Sequence, residues 1–447
     1  MDAIASNPDA AKQRNQSIQW AVLTSILSKA GTFLLRIVSI PIAIKVLGTE
    51  AFGVYATITA FVALIDLIHY GMGPVLTEGI SRAVAARDRE SEVKIFGTSV
   101  LLRSAITLGF ACLFALLIGL VPPAVLFGAE FAEFAETVRR GAFIALIIIT
   151  LDFILVTFEH ARNGYQEARI SNAWGAGGNF VAAGLLVFCI SRFPSVETLI
   201  LAIHGPVVLA RLGNAISLVA GRRYLASAML AFSRDKIRFV LGGSVGYTLV
   251  YVVWCTVEYI FPVLLLGRFI GPGEAGVFEI FVLLHVSLNG LVHMVNYPLL
   301  PAFFDASERG DRKWIIKAIR RLYLGVLVLG GMSILGFGIL GEWALGVWIG
   351  DKVEADRPAL LLFGFWFALH AWRQVHQVIL LGLGKIRRCA WTAVVEGSLI
   401  AGLLSLFVSK QLIPGIQGVF AAICIGLALV TAWYFPLSLK RHRSREH

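Results

Sequence analysis

Lys29 and Arg36 stand seven residues apart inside an apolar stretch near the start of the chain. At 3.6 residues per turn they share one helix face, as a cationic stripe about 10 Å long. Such a stripe suits an anionic head group; the alternative is pairing with an acid on a neighbouring helix, such as Asp66. Tyr247, Tyr251, Trp254 and Glu258 follow the i, i+4, i+7, i+11 spacing of a second face. Flat rings beside a carboxylate suit sugar rings, which stack through C–H faces while their hydroxyls seek acceptors. Aromatic packing between helices accounts for the same pattern. Trp366, His370, Arg373 and Gln377 repeat that spacing as a basic stripe, and His293 and Asn296 lie on adjacent turns. Asp66, Asp152, Glu258 and Glu396 are the acids farthest from the ends of apolar stretches. Each is a candidate either to carry a coupling proton or to pair with Arg or Lys, because burial raises a carboxyl pKa and a cation lowers it.

These residues matter because of where they sit. A charge at the centre of a bilayer costs at least about 2.5–3.5 kcal/mol, and the surrounding stretches have the length and polarity of membrane spans. Charged residues make up 15% of the chain, against about 25% in soluble proteins, and mean hydropathy is +0.79. Apolar blocks fall at about 18–44, 52–78, 97–121, 140–160, 169–190, 197–220, 238–265, 275–300, 318–341, 358–380, 390–408 and 416–437. Each block is long enough to cross a hydrocarbon core of about 30 Å. Backbone groups in lipid must be satisfied internally, so the blocks are expected to be helices.

The formal charge of +11 could suggest a nucleic-acid binder, but its distribution argues for topology. With the N-terminus inside, the inner segments hold 26 Lys and Arg and the outer segments 7. By the positive-inside rule both termini are then cytoplasmic, and no nucleic-acid partner is expected. The five cysteines lie in or beside apolar spans without a CxxC, so neither a disulfide framework nor structural zinc is expected. The polar first 17 residues, followed by no small-residue cleavage site, point to a retained first helix rather than a removed signal peptide. HExxH and P-loop patterns are missing, which argues against a zinc hydrolase or nucleotide site and implies no cofactor.

An internal repeat organises the chain. KVLGTEAFGVY at 45–55 returns as RFIGPGEAGVF at 268–278, with Gly48 matching Gly271, Gly53 matching Gly276, and a cation first. Pro41 and Pro262 precede the motif, and Pro74 and Pro298 follow it. A weaker echo, AGLL, recurs at 183–186 and 401–404. The expected organisation is an N-terminal six-helix lobe (1–220), a linker (221–238) and a C-terminal six-helix lobe (239–447). An even helix count per half makes the two pseudo-repeats parallel, with a site between them. The linker GRRYLASAMLAFSRDKIR is either a plain connector or a short amphipathic helix in the membrane interface.

LGTEAFGVYATITAFVALIDLIHYGMGPVLTEGISRA (47–83) resembles the front segment of Wzx-type polysaccharide flippases, a branch of the multidrug/oligosaccharidyl-lipid/polysaccharide exporter superfamily. NGYQEARISNAWGAGGNFVAAGLLV (163–187) resembles their loop into the fifth helix, and PAFFDASERGDRKWIIKAIRRLYLG (301–325) their basic loop after the eighth. The resemblance implies a V-shaped, twelve-helix, all-α membrane protein that works by alternating access. It implies flipping of an undecaprenyl-diphosphate-linked oligosaccharide across the bacterial inner membrane for O-antigen, exopolysaccharide or related surface glycans. Implied partners are that lipid-linked oligosaccharide, membrane lipids, and a polysaccharide polymerase with chain-length proteins. A cationic cavity for the diphosphate is part of the picture, which Lys29 and Arg36 suit; Glu258, opposite Arg36, leaves that cavity unequally charged.

Competing readings differ in kind. A drug/cation antiporter of the same superfamily suits Glu258 and the tyrosines but not Lys29 and Arg36. A major-facilitator transporter would carry a G-x(3)-[DE]-[RK]-x-G-[RK] pattern that SRAVAARDRESEVK lacks. A membrane polymerase or glycosyltransferase would need long external loops bearing acids or arginines. Lipid II flippases have two helices more than the twelve expected here.

Overall fold

The computed structural model describes residues 8–65, 71–228, 231–296, 299, 303, 311–350 and 355–444; within these, the side chains of Lys29, Arg36 and Tyr247, among others, are not described. Asp66 also lies outside the described residues. The fold is all-α and polytopic, with no strand among the described residues. In chain order the helices are α1 (Pro8–Ala63), α2 (Met72–Ala85), α3 (Arg89–Leu120), α4 (Pro123–Phe127), α5 (Ala135–Gly164), α6 (Ala168–Ile190) and α7 (Val196–Gly221). There follow α8 (Tyr224–Ala228), α9 (Arg234–Cys255), α10 (Phe261–Phe269), α11 (Pro272–Asn296), α12 (Arg312–Ile349), α13 (Arg357–Gly382), α14 (Ile386–Ser409) and α15 (Gly415–Ser444). Nine helical stretches among the described residues are long and apolar enough to cross a bilayer. The stretch at α13 is not one of them, and it carries His370, Arg373, Gln374, His376 and Gln377.

Helix starts reflect local chemistry. Ser195, Asp311 and Asp356 cap α7, α12 and α13 by accepting from Thr198, Trp314 and Ala359 backbone N–H groups at 3.1, 3.0 and 3.2 Å. Pro358 stands in the first turn of α13, where its missing donor costs nothing.

Two compact units result, one of residues 1–39, 71–115 and 144–244, the other of 40–70, 116–143 and 245–447. The first unit buries Leu76, Ile80, Phe96, Phe158 and Leu218 together. In it α6 and α7 approach closely because Gly178 faces the Ala210 methyl and the Pro206 carbonyl; a Cβ there would lie 2.7 Å from Ala210 Cβ. The second unit is built around Phe278, Phe281, Phe363, Trp366 and Phe420, with Phe281 and Phe363 ring centroids 5.0 Å apart.

The second unit draws on both halves of the chain, and the repeated motif meets itself there. Gly48 (φ 87°) breaks α1, and Gly271 (φ 136°) separates α10 from α11. Both need the backbone region that side chains with a Cβ avoid. Five residues on, Gly53 and Gly276 touch: a Cβ on Gly276 would lie 2.8 Å from the Thr49 carbonyl oxygen and 3.0 Å from Gly53 Cα. A Cβ on Gly53 would fall onto the Pro272 carbonyl. The repeat therefore serves two purposes, a left-handed turn and a backbone-to-backbone crossing. Its second cation, Arg268, donates to the Val125 carbonyl at 2.5 Å.

The linker is held by protein. Leu225 and Ala228 of α8 are buried with Phe96 in the core of the first unit. Tyr165 donates to Glu92 Oε1 at 2.6 Å, and Tyr224 donates to the same oxygen. Arg222 pairs with Glu167 at 2.6 Å, and the Ser233 N–H donates to Thr98 at 3.0 Å. A free amphipathic helix would present Leu225 to lipid; here that side chain is fully covered.

Candidate functional site

The two polar stripes expected on the seventh and tenth spans join in the second unit. Glu258 lies in a π-helical turn, Thr256–Ile260, between α9 and α10. One extra residue in that turn rotates the residues after it, so Tyr259 as well as Glu258 turns toward the same cluster. α13 supplies Trp366, His370, Arg373 and Gln374, and α14 supplies Glu396; all are buried, with Glu258 and His370 at 0% exposure.

Glu258 accepts from Trp366 Nε1 at 2.8 Å and lies 2.9 Å from His370 Nδ1. Arg373 Nη1 bridges two carboxylates, 2.5 Å from Glu258 and 2.7 Å from Glu396. Glu396 accepts a further bond from Thr431. His370 Nε2 meets the amides of Asn289 (2.9 Å) and Gln374 (3.1 Å), and Gln374 reaches His293 at 3.3 Å. His285 stacks on Trp366 with centroids 4.0 Å apart and bonds Tyr259 at 3.0 Å. The Arg373 guanidinium lies 5.6 Å from the centroid of the Trp254 ring.

The electrostatics are uneven. One guanidinium serves two carboxylates, so with both acids ionised and the imidazole neutral the cluster would carry one excess negative charge. His370 Nδ1 faces a carboxylate oxygen at 2.9 Å and Arg373 Nη2 at 2.8 Å. The first contact needs a proton on that nitrogen and the second needs it absent. Buried Asn289 Oδ1, Gln374 Oε1 and His285 Nε2 have no hydrogen-bond partner among the described residues. No group of three or more His, Cys, Asp or Glu side chains among the described residues is placed to hold a metal ion.

A second charged cluster stands in the first unit. Arg211 of α7 bonds Glu159 at 3.1 Å and also pairs with Asp152, both on α5. Again one guanidinium serves two carboxylates. Arg103 is buried and donates to the Phe153 carbonyl at 2.7 Å.

Of the residues singled out in the sequence, Trp254, Glu258, His293, His370, Arg373 and Glu396 come together. Tyr251 is half-buried beside Trp254 and packs against Leu380 and Cys389. Asn296 is buried at the end of α11, and Asp152 belongs to the Arg211 cluster. Lys29, Arg36, Asp66 and Tyr247 fall outside what the structure describes. Sequence reasoning missed Tyr259, His285, Asn289, Gln374, Thr431, Glu159 and Arg211. Two signals were available: Gln374 stands i+4 from His370, closer in register than Gln377, and Asp152 and Glu159 have the seven-residue spacing of Lys29 and Arg36.

The whole chain resembles solved transporters in fold. A multidrug resistance MATE family transporter of the MOP superfamily in an inward-facing conformation matches with a TM-score of 0.70 at 15% identity, over 94% of this chain and 98% of that one. The outward-facing conformation of such a transporter gives a TM-score of 0.65 at 15% identity over 96% of each chain. A MOP superfamily transporter from Pyrococcus furiosus, described as having a binding pocket of reverse polarity, gives 0.63 at 14% identity over 96% of this chain and 97% of that one. No curated protein matches the sequence. The polysaccharide biosynthesis protein family model matches residues 20–307, more than half of the chain. This multi-pass membrane protein therefore belongs to the polysaccharide biosynthesis protein family and has the fold of MOP superfamily transporters.

Proposed function

We propose that the protein flips a lipid-linked oligosaccharide, carried on undecaprenyl diphosphate, from the cytoplasmic to the periplasmic leaflet of a bacterial inner membrane. The observation that carries this reading is a polysaccharide-family match laid on a transporter fold. Both termini are cytoplasmic in this account, and two parallel six-helix lobes, 1–220 and 239–447, rock about the linker 221–238. The protein is a transporter and not an enzyme: it moves the glycan without making or breaking a bond. Lys29 and Arg36 hold the diphosphate, and Tyr247, Tyr251 and Trp254 offer rings to the sugars. Glu258, Arg373, Glu396 and His370 form the coupling element, where uptake of one proton offsets the excess negative charge and alters the partners of Arg373. Asp66 and Asp152 are further coupling candidates, the latter through Arg211. A polymerase and chain-length proteins take the delivered glycan.

The drug/cation antiporter reading is favoured by the acidic, aromatic character of the Glu258 cluster. Deletion of the gene from its host distinguishes the two. The flippase reading expects loss of a surface polysaccharide with accumulation of its lipid-linked precursor. Normal polysaccharide together with heightened sensitivity to cationic drugs would overturn it in favour of the antiporter.

A further inference from the structure

The first unit carries a groove of about 860 Å³ along the seam of α6 and α7. One wall is a single row on α6, Arg169, Ala173, Gly177, Val181 and Leu185, spaced four residues apart; Pro206 and Leu209 of α7 contribute to the other. The row is exposed and, beyond Arg169, apolar. Gly178, packed on Ala210, brings the two helices together at the floor, while Gly177 has open space in front of it. Arg169 stands at one end, exposed, with no ion pair or hydrogen bond among the described residues. An unpaired guanidinium at the mouth of an apolar groove matches an amphiphile with a phosphate head, which its planar fork binds in bidentate fashion.

Length decides which amphiphile. From Arg169 to Leu185 the row rises about 24 Å at 1.5 Å per residue, and a tilt of about 20° shortens this little. One leaflet contributes only about 15 Å of a 30 Å hydrocarbon core. An acyl chain anchored by its phosphate at Arg169 would end near the midplane and leave the Val181–Leu185 end to lipid of the opposite leaflet. A chain longer than one leaflet would fill that end. The geometry points to a long-chain polyprenyl phosphate as the occupant, phosphate on Arg169 and isoprenoid chain along α6 past the midplane. The inference rests on the proposed flippase reading in taking the carrier lipid as ligand, and it assigns that carrier's chain a seat outside the charged clusters.

The test uses purified full-length protein in lipid nanodiscs and a glycan-free, long-chain polyprenyl phosphate with a photoreactive group at its chain terminus. Cross-links should map near Val181 and Leu185. Arg169→Ala should weaken binding by about tenfold or more, and Gly177→Leu, which fills open space without touching the helix seam, should do the same. A two-isoprene phosphate and phosphatidylglycerol should compete poorly. Competition by phosphatidylglycerol as effective as by the long chain, cross-links elsewhere, or unchanged binding in both variants would overturn the proposal. Because the probe bears no glycan, failure of the protein to flip lipid-linked sugar leaves this result standing, and the reverse also holds.

Discussion

Arg373→Gln is the perturbation with the largest predicted effect. The guanidinium nitrogen lies 2.5 Å from Glu258 and 2.7 Å from Glu396, so the two carboxylate oxygens are no more than 5.2 Å apart. Without the arginine their repulsion is about 3 kcal/mol at an effective dielectric of about 20. Loss of charge-assisted bonds at a buried site brings the cost to the range of about 3–5 kcal/mol seen when one partner of a buried pair is removed. Glu258→Gln should behave differently. It removes the excess charge, leaves Arg373 paired with Glu396, and keeps an oxygen for the Trp366 N–H; its cost should stay below about 2 kcal/mol. The double variant Glu258→Gln/Arg373→Gln should be more stable than Arg373→Gln alone. Thermal unfolding of the purified variants in one detergent, followed by tryptophan fluorescence, gives the ranking. Equal losses for the two single variants, or no recovery in the double variant, would refute the idea that one arginine balances two acids.

Other parts of the structure lead to three further expected outcomes. Gly276→Leu should sharply reduce folded protein in membranes, because its Cβ meets backbone at 2.8 Å on the Thr49 carbonyl, while Gly177→Leu, facing open space, should leave abundance normal. Burial, then the bonds to Glu92, raises the Tyr165 and Tyr224 phenols above the ordinary value of 10.0; the docked linker is therefore fully stabilised below about pH 10 and loses that stabilisation as pH climbs toward the raised values, so proteolysis within 221–238 should accelerate at high pH in wild type and much less in Tyr165→Phe/Tyr224→Phe. Arg36→Gln should lower glycan export at normal protein abundance and Arg36→Lys should retain part of it, since charge survives without the bidentate fork; full export by Arg36→Gln would remove that residue from the site.

The helices and the repeat were legible in the sequence because both depend on local rules. Apolar block length sets the spans, and a left-handed turn or a backbone crossing demands glycine, so Gly48, Gly53, Gly271 and Gly276 left a readable mark. The stripes on the seventh and tenth spans were legible by helical spacing. That they meet was not, since spacing within one helix carries no information on which neighbour it faces. The π turn at Thr256–Ile260 has no simple signature, and without it the register after Glu258 misplaces Tyr259. Glu159 and Arg103 stand near span ends, where a long side chain can reach the interface, so position alone does not single them out; their partners, Arg211 and the Phe153 carbonyl, come from tertiary packing. The linker's binding through Leu225 and Tyr224 likewise depends on a pocket formed by distant helices.

The central claim is movement of a lipid-linked glycan without nucleotide hydrolysis. Purified protein reconstituted into vesicles with a fluorescent undecaprenyl-diphosphate oligosaccharide in one leaflet tests it directly, with exposure of the sugar read by an enzyme or quencher confined to the other side. The account predicts protein-dependent flipping with no ATP present, faster under a proton gradient in wild type and insensitive to it in Glu258→Gln. Vesicles that scramble no glycan above the protein-free rate, or that do so only when ATP is supplied, would contradict it.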